Sequence, residues 1–160
     1  MIRTRSLIAV MIGMLLVIGA ASPVAASADG QDDVAPDIVR MMTEVPGGVL
    51  VDGNHAVWPR LDMELEVPTA SQRSLSASSV GPCPSDRICL FSGYSLGGTM
   101  LSFGTCGIHT VPSTFSARSL AHARATGYTQ ARNGTTVIAT AYAGGWANIY
   151  STATNIRCVF

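Results

Sequence analysis

“FSGYSLGG”, residues 91–98, admits two readings, and the choice between them decides the fold. Gly93-Tyr94-Ser95-Leu96-Gly97 fits Gly-x-Ser-x-Gly, the elbow that presents the nucleophile of lipases and esterases. Such an elbow needs a strand before it, a helix after it, and then an acid and a histidine in that order. His109 and His122 do follow Ser95, but Asp86 is the last carboxylate side chain of the chain. “TMLSF” (99–103) follows the glycines and reads as a strand, as does “ICLF” (88–91) before them. The stretch is therefore a Gly-rich turn between two strands, and Ser95 is not a nucleophile.

Working outward from this hairpin, the same pattern recurs. “TGYTQAR” and “TTVIATAYA” flank Asn133-Gly134, a pair suited to a type I′ turn. “ANIYS” and “NIRCV” read as closing strands, and “ARSLAHARA” (117–125) could make one helical turn or more. Toward the N-terminus, “DDVAPDIVRMMTEVPGG” predicts a short helix over 35–44, with Pro36 in its first turn and “VPGG” as its stop. “VLVDGNHAVW” predicts two short strands around an Asp-Gly-Asn turn. “LDMELEV” alternates, with Leu61, Met63, Leu65 and Val67 on one face and Asp62, Glu64 and Glu66 on the other, a half-buried strand with a solvated acidic face. Short, turn-separated strands of this number predict an all-β sandwich with one short N-terminal helix.

Segment boundaries follow from composition. Arg3 and Arg5 precede an apolar run from Leu7 to Ala21, and Ala26-Ser27-Ala28 is a small-x-small cleavage pattern, so residues 1–28 read as a secretory signal peptide. The run is shorter than the ~20 residues of a membrane span, so no membrane association is expected after cleavage. Residues 29–67 form an acidic segment, 68–82 a Ser/Ala-rich linker, and 83–160 a cysteine-bearing domain. The charges divide in the same way. Residues 29–86 hold all ten carboxylates, whereas 87–160 hold five arginines and no acid, and the chain has no lysine. No nucleic-acid partner is expected.

Cys83, Cys89, Cys106 and Cys158 all lie in the last domain. In an exported chain an even number reads as two disulfides, for which three pairings exist. His109 and His122 lie nearby, but no Cys-x-x-Cys pair supports a zinc site. No cofactor or metal is expected. His55, His109 and His122 read as surface or turn residues, and Trp58 and Trp146 as packing residues.

Phe91-x4-Leu96-x-Gly98 resembles the Greek-key signature of βγ-crystallin domains, with Ser119 at the position of the family's motif serine and Leu96 in place of its second aromatic. In the second half Tyr128 and Gly134 stand one residue too close for the same pattern. More narrowly, “CPSDRICLF”, “LSFGTCG” and “IRCV”, with “VPGGVLVDGNHAVW” ahead of them, resemble a family of secreted bacterial peptidase inhibitors of the microbial metalloproteinase inhibitor type (family thirty-six). The resemblance implies a small βγ-crystallin-like Greek-key sandwich with added strands. It also implies the pairings Cys83–Cys89 and Cys106–Cys158, because the third strand of the first motif crosses to lie beside the last strand. Calcium binding does not carry over, since Phe115 and Ser116 occupy the positions of that family's Asn/Asp pairs.

Two functions are compatible with these features. One is inhibition of an extracellular protease, a metalloprotease foremost, by a rigid loop for which Gly104, Thr105, Cys106, Gly107, Ile108 and His109 are the candidates. In that loop Ile108 would enter an apolar subsite and His109 would approach the protease metal. The other is binding of an anionic cell-wall polymer through the arginines of the basic half.

Overall fold

The structure, a computed structural model, describes residues 34–69 and 80–160. The expected signal peptide (1–28) and positions 70–79 of the expected linker lie outside the described residues. A helix, α1 (Pro36–Glu44), precedes three strands, β1 (Val49–Asp52), β2 (His55–Trp58) and β3 (Met63–Glu66). Then come β4 (Ile88–Phe91), β5 (Met100–Phe103), β6 (Ile108–Thr110) and β7 (Ser119–His122). The chain closes with β8 (Tyr128–Asn133), β9 (Thr136–Tyr142), β10 (Gly145–Asn148) and β11 (Asn155–Val159). The result is an all-β sandwich of two antiparallel sheets, ordered β1-β2-β3-β5-β4-β7-β10 and β6-β11-β8-β9.

The order shows an exchange. β4–β7 and β8–β11 are two consecutive four-strand units, and each gives its third strand to the other's sheet: β6 pairs with β11, and β10 pairs with β7. This architecture is compatible with a βγ-crystallin-like Greek-key fold. It brings Cys106, just ahead of β6, to Cys158 on β11, with Cα atoms 4.8 Å apart, and the two are bonded. Cys83 and Cys89 form the second, local disulfide.

The acidic segment is the flank of the larger sheet. β3 pairs with β5 in the register Met63↔Phe103 and Leu65↔Leu101, and β2 and β1 follow outward. Met63 and Leu65 point into the main core with Trp58, Ile88, Leu90, Leu101, Phe103, Leu120 and Ile156. Across the charge divide, the Arg87 guanidinium lies 3.3 Å from Glu64 and 3.8 Å from Asp62, and its Nε donates to the Ser102 hydroxyl at 3.0 Å. Pairs of this kind stabilise by only ~0–1 kcal/mol each, so apolar burial carries the attachment.

A second apolar cluster lies on the other face of the large sheet, where Cys89, Phe91, Met100 and Ala121 are covered by Val80, Cys83 and Leu96. With both faces covered, β4, β5 and β7 are buried along their whole length. That explains why “ICLF” reads as a continuous apolar run without alternation.

Four expectations need correction. Leu61 is not on the buried face: it sits in a 3₁₀ turn (Pro59–Leu61), 46% exposed, because Asp62 adopts a left-handed conformation (φ 46°) and the alternation begins only at Met63. “ARSLAHARA” contains a central strand rather than a helical turn; β7 lies between β4 and β10 and exchanges backbone hydrogen bonds with both. His122 is fully buried rather than at the surface, its Nε2–H donating to the Thr126 carbonyl and its Nδ1 sharing a 2.7 Å hydrogen bond with the Thr129 hydroxyl. The β8–β9 turn is centred on Gly134-Thr135, one residue beyond Asn133-Gly134. Only Gly134 has positive φ there (58°), the pattern of a type II′ turn, and a bulge beyond Ala131 absorbs the shift.

Helix α1 closes one side of the core with Ile38 and Met41 and is tied at both ends. Asp37, in its first turn, accepts from the Thr99 hydroxyl at 2.7 Å, which holds its carboxyl below the usual range. Glu44, its last residue, accepts from the backbone N–H groups of Ser113 (2.6 Å) and Thr114 (2.9 Å) and from the Thr114 hydroxyl. A carboxylate opposes the dipole at a helix C-terminus, so its place there is explained by this tertiary tie. The hydroxyl and amide donors lower its pKa from the ordinary 4.5 to about 2.

Replacing Leu65 by Ala should therefore lower stability by about 2–5 kcal/mol, read as a shift of the urea midpoint at unchanged slope. A loss below about 1 kcal/mol would place the acidic segment outside the cooperative unit. The Glu44 tie is fully present above its unfolded pKa and is lost as pH falls through about 2. Glu44 is exposed, so solvent screening limits its contribution to about 1 kcal/mol. Glu44→Gln should lower the melting temperature by a few degrees at neutral pH, and the gap should close toward pH 2.

Candidate functional site

The hairpin turn of residues 92–98 folds back over the large sheet, and Ser119 fastens it there. The fully buried Ser119 hydroxyl donates to the Gly93 carbonyl at 2.7 Å and accepts from the Leu96 N–H at 3.0 Å. Gly98 (φ 79°) has no room for a side chain, because a Cβ would lie 2.4 Å from the Ser92 hydroxyl. Phe91 is fully buried beneath, and Leu96, itself at φ 64°, joins the outer apolar cluster. Ser95 lies in the same left-handed turn (φ 54°), with its N–H donating to the Asn148 side-chain oxygen at 2.9 Å. Strand β5 rather than a helix follows, and among the described residues the Ser95 hydroxyl has neither a histidine nor a carboxylate partner.

Residues 104–109 form the crossing from the large sheet to the small one and are held at every step. The Gly104 N–H donates to the Asp62 carbonyl at 2.9 Å, and its own carbonyl accepts from Arg124. Cys106 is disulfide-bonded, and the Gly107 carbonyl accepts from the Cys158 N–H at 2.8 Å. Thr105 is exposed, and its carbonyl accepts from His109 Nε2 at 2.9 Å. The His109 ring stacks on Phe103 with centroids 4.5 Å apart, so it braces the loop and does not offer Nε2 to a metal. Ile108 opens β6, pairs with Arg157 on β11, and remains 68% exposed. β6 is an edge strand, so its other side is unpaired within the sheet.

A third region was not legible as a site in the sequence. Between the β6–β7 connection and the β10–β11 connection lies a cleft of about 430 Å³, with Ser116, Arg118, Ser151 and Thr152 among its lining residues. Next to it Tyr94 and Tyr150 stack with centroids 5.6 Å apart, and the Arg118 guanidinium lies 5.9 Å from the Tyr94 ring centre. Asn148 links the two loops, since it also donates to the Tyr150 hydroxyl at 3.3 Å. Three sequence-distant segments build this cluster, and no local pattern announces it.

Among the described residues no group of His, Cys, Asp and Glu is placed to hold a metal ion, and no helix is long and apolar enough to cross a membrane. No protein-family model, curated protein or solved structure matches the chain.

The Ser95 geometry makes a direct prediction. Ser95→Ala should leave any biological activity and the melting temperature unchanged, and a fluorophosphonate probe should not label the protein. Strong labelling that this substitution abolishes would restore the hydrolase reading.

Proposed function

We propose that the protein is a secreted peptidase inhibitor that presents Ile108 and its flanking residues to an extracellular metalloprotease. The observation that carries this reading is the combination at residue 108: a large apolar side chain, 68% exposed, at the start of a rigid edge strand. Proteases bind substrate as an extended strand, and a free strand edge can pair with the enzyme in that way. A loop ordered before binding loses little conformational entropy on docking. The disulfide, the His109–Thr105 bond and the Gly104 contacts would then hold the segment too stiffly for cleavage products to separate. The two disulfides and the apolar leader pattern support export. The resemblance of “CPSDRICLF”, “LSFGTCG” and “IRCV” to the metalloproteinase inhibitors points the same way.

The test is an inhibition assay against a panel of thermolysin-like metalloproteases, with wild type and Ile108→Asp. Burying an unpaired carboxylate in an apolar subsite costs several kcal/mol, so the variant should inhibit roughly a hundredfold more weakly or worse. Its melting temperature should stay unchanged, because residue 108 is exposed. Absence of inhibition by the wild type across the panel would refute the proposal, whereas equal inhibition by both proteins would remove residue 108 from the contact.

A further inference from the structure

We infer that the Tyr94–Tyr150 stack, Arg118 and the adjoining cleft form a binding site for a carboxylated oligosaccharide, separate from the segment around Ile108. Tyr94 is 48% exposed and Tyr150 77% exposed, yet both rings are positioned. Tyr94 belongs to the turn that Ser119 fastens, and Tyr150 is held through Asn148, which also binds the Ser95 N–H. Exposed aromatic rings held in this way suit a pyranose ring, which has an apolar C–H face and a polar rim. The ordering cost of binding is correspondingly small.

The guanidinium specifies the charge of the ligand. Arg118 is exposed and among the described residues has no carboxylate partner; its guanidinium lies over the Tyr94 ring. An arginine fork beside an aromatic platform matches a carboxylate in two-pronged geometry. Among the described residues Glu44 is the one carboxylate lining the cleft, and both of its oxygens accept hydrogen bonds from Ser113 and Thr114. No Asp or Glu side chain occurs beyond residue 86, so the segments that carry Tyr94, Arg118 and Tyr150 bring no negative side chain of their own. Hydroxyl-bearing Ser116, Ser151 and Thr152 line the cleft, and hydroxyls both donate and accept, as a polyol requires. The volume, about 430 Å³, falls within the ~300–1,000 Å³ typical of small-molecule sites. One sugar unit packs on the exposed Tyr150 ring, a carboxylate of the oligosaccharide reaches Arg118, and a neighbouring unit enters the cleft.

The experiment is calorimetric titration of the whole protein with three probes: hexagalacturonate, neutral cellohexaose, and a poly-glutamate of matching charge. Hexagalacturonate should bind, and the other two should bind at least tenfold more weakly. Arg118→Gln and Tyr150→Ala should each weaken hexagalacturonate at least tenfold with an unchanged melting temperature, both residues being exposed. Arg118→Lys should recover only part of the loss. Failure of hexagalacturonate to bind at millimolar concentration would overturn the site. So would equal binding of poly-glutamate, which would show that charge alone is read. Equal binding of cellohexaose would overturn the role of Arg118, and an affinity indifferent to both substitutions would place the sugar elsewhere. Protease inhibition is measured on the same variants; its retention keeps this site distinct from Ile108.

Discussion

One buried hydroxyl, that of Ser119, holds a hairpin turn in a shape the chain does not adopt unaided. Ser95 and Leu96 both have positive φ, a conformation that carries a steric cost for residues with a side chain. The two hydrogen bonds to Ser119 offset that cost and fold the turn flat onto the sheet. Leu96 can then cover Phe91 and the outer apolar cluster, and Tyr94 is placed beside Tyr150. Lying at the start of β7, Ser119 is itself fixed by backbone pairing to Phe91 and Asn148. Strand pairing, turn geometry and surface chemistry therefore meet at a single side chain.

The second four-strand unit solves the same problem with different residues. Asn155, the first residue of β11 as Ser119 is of β7, donates from its amide to the Gly134 carbonyl at 2.9 Å, and the Thr154 hydroxyl accepts from the Gly134 N–H at 2.9 Å. The β8–β9 hairpin is short and tight, so it presents no folded flap and no exposed platform. The two units share a topology but differ in this turn, and the stacked pair draws Tyr94 from the first unit and Tyr150 from the second. The N-terminal strands complete the asymmetry, because they extend one sheet to seven strands and leave the other at four.

What the sequence revealed was local. Pro36 and “VPGG” bounded the helix because the φ constraint and chain termination act within one turn. Met63 and Leu65 identified β3 through a period of two. The two hairpins were legible from their glycines, although the second turn sits one residue away from its Asn-Gly pair. Failures came where tertiary contact decided the outcome. β7 contains Ala and His because it is squeezed between two covered faces, and His122 is buried only because Thr126 and Thr129 satisfy its ring. Leu61 was misplaced by the left-handed Asp62, a residue type that tolerates that region more readily than most. The Arg118 cluster joins residues as far apart as Tyr94 and Tyr150, a proximity that no periodicity encodes.

The Cys106–Cys158 bond also changes how the molecule carries a load. It closes a covalent ring that contains six strands, from β6 to β11. Tension applied along the chain through the C-terminus enters at Cys158 and passes directly to Cys106. The intervening polypeptide is bypassed. A pull on this protein therefore extends the N-terminal strands and the first hairpin, while the small sheet remains out of the line of force.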